Sequence, residues 1–450
     1  MLTTPTGDTR TDEVLTALRT WNKDIPDTDR QTKYCKMASA PLVFYRGTNH
    51  LFWADFAGDQ RLTRFGDAQT RTWLQGDLHA YNDGSYDNDK DEVVYDLNDF
   101  DEAIIADYQY DLWRMAVSIV LVARQNGDLS MGQLEKAIDT FSQSYLDTLN
   151  DYRKKKKKKV RTLYFTKDNT YGKLGRFLKS VERAYSREGM LNRWTVMIDG
   201  ERRFDLTRSK LEGAHVDERT MIHAAMTPYR KTLTDDPAKK KAYFNVKDVA
   251  RRLKAGIGSL GTRRFYVLIE GGKRGDPDDD RILDVKRQTR PTAYKYLGKK
   301  AQREYDERYE NDAQRHANAY RMLTRHTDNH LGWMHLDDGY YSVRERSAFK
   351  EAFPGEALDT RTLSSELAEQ WAEILATDHT RANEDLPKRL RDLTKDQEQA
   401  FLDLVREVTF SYADIVEADW NHFRAALDLQ EGECDRLPFA PPSYRNMLAR

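Results

Sequence analysis

Four polar residues have the types and spacing that phosphoryl transfer requires: Asp77, Asn82, Asp99 and Asp101. Asn82 follows Asp77 by five positions, and a polar turn and a second apolar segment then lead to Asp99. Kinases place an aspartate beside the acceptor hydroxyl, an asparagine five residues later on Mg²⁺, and a further aspartate on the metal between the phosphates. This spacing predicts Asp77 as the catalytic base and the other three residues as metal ligands. The competing interpretation treats each of them as an Asx-turn residue in a hairpin.

A second candidate site combines a glycine-rich segment with a lysine. The segment from Gly256 to Gly261 lies between two predicted strands, and Lys286 lies in a third. Glycines let the backbone approach phosphate oxygens closely, and a lysine on the third strand supplies them with a positive charge. The strand predicted over Arg264–Glu270 disfavours a dinucleotide site, because that motif requires a helix directly after the glycines. The residues predicted to bind the nucleotide are Gly256, Gly258, Ser259, Gly261 and Lys286, of which Lys286 is also counted as catalytic.

The elements around the first candidate site are predicted from the apolar segments that flank it. From Thr72 the pattern indicates a strand, the loop of Asp77, a hairpin and an acidic loop. Asp111 then opens the segment Leu112–Ala123, which is apolar on most faces and predicts a helix buried all round. Asp111 is predicted to receive backbone amides near the catalytic loop, or simply to cap that helix. A surface ion pair is the favoured interpretation of Arg46.

The two candidate sites occur in the reverse of the usual kinase order, in which the glycine loop and lysine come first. Antiparallel strands are predicted over 251–255, 264–270 and 281–286, a helix over 295–325 and a hairpin over 331–346, whereas the flanking regions are mainly helical. The prediction is an α+β bilobal protein with a kinase-like fold that is circularly permuted; the alternative is that one half is a false match. The predicted parts are a large helical lobe with the catalytic and metal loops over 1–250, a small β-rich nucleotide-binding lobe over 251–346, and helices that complete the large lobe over 347–450.

Composition and charge disfavour several classes of binding partner. The 450 residues carry 73 Lys and Arg against 74 Asp and Glu, so no global charge draws the chain to nucleic acid or to an anionic membrane. The lysine run over 154–159 lacks interleaved aromatic residues, so a solvated helix end is favoured over a nucleic-acid site. The longest apolar run, Met115–Ala123, is about half the length that a bilayer requires. With no signal-peptide pattern and only two cysteines, the chain is expected to be cytoplasmic, without membrane or nucleic-acid partners.

Several different short segments lie at specific spacing over most of the chain, roughly from residue 30 to 430. The segments are Phe44-Tyr45-Arg46-Gly47, Gly76-Asp77-Leu78-His79 with Asn82, Asp96-Leu97-Asn98-Asp99-Phe100-Asp101-Glu102, Asp111-Leu112, Gly256 to Thr262, Val285-Lys286, Asp328 with Leu331-Gly332-Trp333, and Asp378 with Arg381. Together they resemble the bacterial proteins grouped as domain of unknown function 2252 (DUF2252), within the protein-kinase-like superfamily. Around Asp77 the chain is also similar to aminoglycoside and other small-molecule kinases. The resemblance implies a kinase-like fold, with Asp77 as base, Asn82 and Asp99 on the metal and Lys286 on the phosphates, and it implies no substrate.

These patterns predict an ATP- and Mg²⁺-dependent phosphotransferase that acts on a hydroxyl group of an unidentified small molecule or protein. One alternative is a nucleotide-binding pseudokinase that serves as an interaction module. Another alternative is a nucleotidyl transferase, in which the triphosphate binds in the reverse orientation, so that a different phosphorus atom is attacked. In kinases the strand lysine pairs with a helix glutamate, and spacing alone does not rank the candidates Glu304, Glu307 and Glu310.

Overall fold

The computed structural model describes residues 9–127, 129–154, 160, 162–234, 243–253, 261–273, 275–355 and 366–427. Within these residues the chain is a mixed α+β protein with several antiparallel sheets. No helix in this described part is long and apolar enough to cross a bilayer. All but the first residue of the lysine run lies outside it.

Helices supply most of the regular structure. They are short before the first strand and longest near the described C-terminal end. In chain order they are α1 (Thr9–Trp21), α2 (Asp27–Ala38), α3 (Pro41–Gly47), α4 (Asn49–Phe56), α5 (Leu62–Phe65), α6 (Gln109–Asn126), α7 (Met131–Lys154), α8 (Gly172–Ala184), α9 (Arg187–Trp194), α10 (Val216–Arg230), α11 (Lys299–Arg308), α12 (Asp312–Leu323), α13 (Ala368–Ala382), α14 (Leu386–Thr394) and α15 (Glu398–Ala426).

Helix α6 runs through the largest hydrophobic core, as its apolar sequence predicts. Every residue from Asp111 to Ala123 is buried, whichever face of the helix it occupies. The helix ends at Gly127, whose φ of 75° allows its N–H to bond the Ala123 carbonyl. Because α6 is enclosed on every face, it is a rigid support for the residues of its first turn.

A six-stranded antiparallel sheet has the strand order β11-β12-β10-β9-β8-β7. Two strands lie within one residue of those predicted over 264–270 and 281–286, and two more form the hairpin predicted over 331–346. The strand predicted over 251–255 shares only residues 251–252 with the observed strand, which begins at Val246. The edge strand β7 begins at Leu211. The sheet therefore includes residues on both sides of the lobe boundary that was predicted at residue 251. Its strands are β7 (Leu211–Gly213), β8 (Val246–Arg252), β9 (Arg264–Ile269), β10 (Arg281–Arg287), β11 (Gly332–Leu336) and β12 (Gly339–Glu345).

The two faces of this sheet have different environments. On one face, Val285 shares a hydrophobic core with Ile222 of α10. On the other face, Trp194 and Phe204 cover one end of the sheet. The remaining end of this second face carries Asp284 and Lys286 and is polar.

Two nested strand pairs bring the predicted catalytic and acidic loops side by side. The outer pair is β1 (Arg71–Leu74) with β4 (Ile104–Asp107), and the inner pair is β2 (Asp83–Asp87) with β3 (Val93–Leu97), both antiparallel. A short strand, β13 (Glu351–Ala352), extends the inner pair along β2. Because one hairpin is nested within the other, the β1–β2 loop and the β3–β4 loop leave the strands as neighbours.

Two local features depart from the sequence-based expectations. The mainly helical region before residue 251 also contains a hairpin, β5 (Thr195–Ile198) and β6 (Glu201–Phe204), whose Asp199-Gly200 turn has positive φ at both residues. The helix predicted over 295–325 is two helices. It divides because the Asn311 side chain accepts a backbone N–H of the first turn of α12 (2.8 Å) and so starts a new helix.

Candidate functional site

The β1–β2 and β3–β4 loops bring the predicted catalytic and metal-binding residues to one cavity. Asp77, Asn82, Asp99 and Asp101 all line this cavity, whose volume is about 140 Å³. Arg46 of α3 lines it as well. We refer to it as the acidic cavity. Its lining combines carboxylate and amide oxygens with at least one cationic side chain.

The backbone of the catalytic loop is fixed by the first turn of α6. The buried Asp111 carboxylate accepts the N–H groups of Gln75 (2.6 Å) and Gly76 (3.0 Å), so Asp111 has the amide-binding position that the sequence predicts. Gly76 has a φ of 83°, and a Cβ there would lie 2.1 Å from the Glu102 carbonyl oxygen. Only glycine therefore fits where the two loops touch.

Asp77 forms a buried ion pair with Arg114 of α6. The Arg114 Nε donates to Asp77 Oδ1 (3.0 Å), Nη2 donates to the same oxygen, and the guanidinium lies 4.2 Å from the centre of the Tyr45 ring. Arg114 is 1% exposed. Burial raises the pKa of Asp77 to about 6, although the nearby Arg114 opposes the rise. At neutral pH the carboxylate is ionised and oriented, as a general base requires.

The predicted metal ligands are held mainly through neighbouring backbone groups. The Asn82 Nδ2 donates to the Asp77 carbonyl (2.9 Å), so its amide oxygen is the atom that remains for a cation. The Gln75 side chain donates to the Asp99 carbonyl. Within the described residues, Asp99 has no ion-pair partner although it lines the acidic cavity. Carboxylate and amide oxygens are the ligands that Mg²⁺ prefers, so this donor set fits the predicted metal.

Lys286 joins the sheet to the acidic loop. Its ammonium pairs with Asp101, which also accepts from Gln288 Nε2 (2.9 Å). Burial acts to raise the pKa of Asp101, but Lys286 and His316 hold it well below its usual range. The partner of the lysine is therefore an aspartate of the acidic loop. Of the three helix glutamates considered, Glu304 instead pairs with an arginine of β1.

Arg315 of α12 binds the backbone of the acidic loop. Its Nη1 donates to the carbonyls of Phe100 (3.0 Å) and Ala103 (2.9 Å), and Nη2 donates to those of Asp101 (2.8 Å) and Thr289 (3.3 Å). The residue is completely buried. Helix α12 thus holds the acidic loop through three hydrogen bonds to its main-chain oxygens, and a fourth hydrogen bond ties it to Thr289.

Arg46 does not form the predicted surface ion pair. Its Nε donates to His79 Nε2 (3.1 Å) and its guanidinium lies over the Tyr81 ring. Burial lowers the pKa of His79 well below its usual value, so the neutral ring can accept this bond. Lys33 also lines the acidic cavity, and its ammonium donates to Asn22 Oδ1 (2.7 Å). Packing of α2 and α3 over the loops thus places two cations beside Asp77.

The predicted glycine loop is only partly within the described residues. Gly256, Gly258 and Ser259 lie outside them. Gly261 is described, with a φ of 81°, and it approaches Ile25 between α1 and α2. Its predicted role in nucleotide binding stays a prediction.

Asp328, His330 and Glu345 form a further cluster that has the composition of a metal site. The His330 Nδ1 lies 3.0 Å from Asp328 and 3.2 Å from Glu345. Burial acts to lower the pKa of His330, but these two carboxylates raise it well above its usual value. Both carboxylates lie against the same ring nitrogen, Nδ1, and the other ring nitrogen, Nε2, lies 2.8 Å from the Tyr243 hydroxyl. We therefore interpret the cluster as an ion pair.

Asp83, Asp96 and Asp378 form a cluster of buried carboxyl groups. All three are at most 3% exposed, and Arg381 donates to Asp378 Oδ1 (2.8 Å). Burial and the neighbouring Asp96 raise the pKa of Asp378 well above its usual value. Folding therefore favours the protonated carboxyl group at this position.

We expect Asp378→Asn to become more stable relative to the parent protein as pH rises. A carboxyl group whose pKa is raised on folding stabilises the fold most below its unfolded pKa, and that contribution is lost as pH rises through the folded pKa. The amide resembles the protonated acid and does not ionise. The measurement is the difference in Tm between variant and parent from pH 5 to pH 8. Asp392→Asn, which changes an exposed carboxylate, is the control; a pH-independent difference for Asp378→Asn would contradict the interpretation.

The fold and the site together define a mixed α+β protein in which two acidic loops and a lysine-bearing antiparallel sheet meet at one cavity. The chain belongs to the family described as uncharacterized proteins conserved in bacteria (DUF2252), whose model matches residues 27–426. No curated protein and no solved structure matches the chain. Family membership therefore gives no reaction, and the function has to be inferred from the chemistry of the site.

Arg114 and Arg315 contact the candidate site but were not predicted from the sequence. Arg114 lies within a helix predicted to be buried all round, and a buried cation requires a partner. That position was a usable signal. Arg315 carries no comparable signal, because α12 has polar residues along its length and burial of this one depends on the tertiary fold.

Proposed function

We propose that this chain is an ATP- and Mg²⁺-dependent phosphotransferase with a circularly permuted, bilobal kinase-like arrangement, and that it acts on a hydroxyl acceptor. The observation that carries the proposal is the meeting of Lys286 with the acidic cavity. A lysine on the third strand of an antiparallel meander contacts the loop that holds Asp99 and Asp101, with Asp77 and Asn82 in the same cavity. Kinases combine a strand lysine, two metal-binding side chains and a catalytic aspartate in this way.

The proposed roles follow from the contacts of each residue. Asp77 accepts the proton of the acceptor hydroxyl, since its carboxylate is oriented by Arg114 and has a pKa near 6. Asn82, Asp99 and Asp101 supply oxygen ligands to Mg²⁺, which neutralises the charge on the phosphates. Lys286, when released from Asp101, supplies its positive charge to a phosphate oxygen.

The proposal is tested by thermal unfolding with ATP in the presence and absence of MgCl₂. A ligand at about 100 times its Kd adds about 2.7 kcal/mol to the free energy of unfolding. We expect this stabilisation in the parent protein with Mg²⁺, and its loss in Asp99→Asn and in Lys286→Met. Asp147→Asn removes an exposed carboxylate from α7 and should keep the full shift.

Two outcomes would contradict the proposal. If neither Asp99→Asn nor Lys286→Met changes the shift, the nucleotide binds elsewhere. If Mg²⁺·ATP stabilises the parent protein but is never turned over, and Asp77→Asn behaves as the parent does, the chain is a nucleotide-binding pseudokinase.

A further inference from the structure

Arg46 is a cation of the acidic cavity that has no carboxylate partner within the described residues. Two carboxylates of the cavity already have their cations, since Asp77 is paired with Arg114 and Asp101 with Lys286. The Nε of Arg46 is engaged in a hydrogen bond, but its two terminal nitrogens have no hydrogen-bond or ion-pair partner in this part of the chain. A half-buried guanidinium without a counter-ion favours an anionic ligand at this position.

The surrounding contacts fix the guanidinium of Arg46 in place. It lies over the Tyr81 ring, 5.4 Å from the ring centre. The residue before it, Tyr45, packs against the guanidinium of Arg114, whose Nη2 donates to the Tyr45 carbonyl (3.2 Å). Helix α3 is thereby tied to the arginine that orients Asp77. Donors that are fixed before a reaction cost no reorganisation when charge develops during it.

Arg46 and Lys286 act on different carboxylates of the acidic cavity. The charges of Asp77 and Asp99 both act to raise the pKa of Arg46, so the guanidinium lies within electrostatic reach of these two residues. The ammonium of Lys286 instead pairs with Asp101. In the proposed arrangement, the phosphate chain extends from Lys286 past the metal ligand Asp99 to the base Asp77. The phosphate group closest to Asp77 is the one that is transferred, and it lies where Arg46 can reach it.

The chemistry of phosphoryl transfer suits an arginine at this position. Negative charge spreads over the three equatorial oxygens of the phosphoryl group in the transition state. A planar guanidinium with two free nitrogens can donate to two such oxygens at once, which an ammonium group cannot do with the same geometry. An anionic group of the acceptor is the competing ligand for Arg46, and the experiment below separates the two.

We propose that Arg46 is a catalytic residue whose two terminal nitrogens bind the phosphoryl group during its transfer. This inference rests on the proposed phosphotransferase function and adds a residue to it. The acceptor oxygen forms a bond to the γ-phosphorus as the bond from that phosphorus to the β-phosphate oxygen breaks. The bonding electrons leave with ADP, and the hydroxyl proton passes to Asp77. Because Arg46 binds the equatorial oxygens most strongly in the transition state, it raises kcat and not the affinity for ATP.

Thermal unfolding of the full chain with Mg²⁺·ADP and aluminium fluoride, a planar mimic of the transferring phosphoryl group, tests this role. We expect the parent protein to show a larger Tm shift with this mixture than with Mg²⁺·ADP alone. Arg46→Met should lose the additional shift and keep the full shift with Mg²⁺·ATP. Arg46→Lys keeps the charge without the planar fork and should lose part of it. Arg64→Met removes an exposed arginine that lies over the Phe65 ring and, as the matched control, should keep both shifts.

Slow hydrolysis of ATP, in which water replaces the acceptor, gives a second readout. We expect kcat to fall about a thousandfold in Arg46→Met, as loss of an arginine from the transferring phosphoryl group predicts. KM should stay at the parental value, because the lost contact belongs to the transition state. Arg64→Met should leave both constants unchanged.

Three outcomes would overturn the inference alone. The first is a parental shift with aluminium fluoride in Arg46→Met, which would leave an anionic acceptor as the ligand of this arginine. The second is loss of the Mg²⁺·ATP shift in Arg46→Met, because the contact would then already exist before the reaction. The third is a parent protein that gains nothing from aluminium fluoride. In each case the proposed function stands while Mg²⁺·ATP stabilises the parent through Asp99 and Lys286; if Mg²⁺·ATP does not stabilise the parent, the proposed function fails with the inference.

Discussion

Asp77→Asn is expected to reduce the rate of group transfer by about a thousandfold, which is the usual contribution of a general base. The asparagine oxygen can still accept from Arg114, so the loop keeps a partner for the guanidinium. Because the pKa of Asp77 is raised to about 6, kcat/KM of the parent should fall about tenfold per pH unit below that value as the base becomes protonated. The residual activity of Asp77→Asn should lack this acidic limb. The measurement is the pH profile of both proteins.

Asp107→Asn is the matched control for this experiment. Burial also raises the pKa of Asp107 to about 6, but this residue lies at the end of β4 and bonds Thr70 and Gln109. In Asp107→Asn, kcat/KM should still fall below about pH 6, as it does in the parent protein. Stabilisation by Mg²⁺·ATP should persist in Asp77→Asn, which separates loss of the base from loss of the fold. An Asp77→Asn protein with parental kcat/KM would show that another group accepts the proton.

Arg315→Met is expected to lower the free energy of unfolding by about 3–5 kcal/mol, a large share of the stability of a typical domain. The variant removes hydrogen bonds from four main-chain carbonyl groups, three of them between Phe100 and Ala103. Urea denaturation measures the change as a shift in midpoint with an unchanged slope.

The same substitution should also remove stabilisation by Mg²⁺·ATP, because the acidic loop loses its support. Arg315→Lys keeps the charge but lacks the planar fork, so we expect an intermediate loss. Arg303→Met changes an exposed arginine of α11 and is the control. If Arg315→Met unfolds within about 1 kcal/mol of the parent protein, other contacts hold the loop.

The sequence could predict that Asp77, Asn82, Asp99 and Asp101 lie close together. Their grouping depends only on the order of strands and loops within a short stretch of the chain. The nested strands are separated by short loops, and a hairpin within a hairpin brings its loops together whatever the rest of the chain does. The burial of α6 was accessible for a similar reason, since its apolar residues occupy every face. Both predictions needed only local periodicity.

The partners of Lys286 and Arg315 could not be predicted from the sequence, because tertiary packing determines them. The sequence offered three glutamates between residues 304 and 310 as partners of Lys286, and its actual partner, Asp101, lies 185 positions away. Arg315 contacts main-chain oxygens, which carry no sequence signal at all. The placement of Arg264 opposite Lys286 and of Arg344 opposite Asp284 likewise depends on the strand register, because a shift of one residue would turn either side chain to the opposite face.

The ion pair between Lys286 and Asp101 links the two kinds of ligand that the cavity is proposed to hold. A divalent ion that takes up the carboxylate frees the ammonium, which then lacks a counter-ion until an anion arrives. An anion that draws the ammonium away frees the carboxylate for a cation in the same manner. Each ligand therefore strengthens the other, and thermodynamic reciprocity makes the two enhancements equal. A protein built in this way discriminates against free metal and against metal-free nucleotide, and retains the two only as a pair.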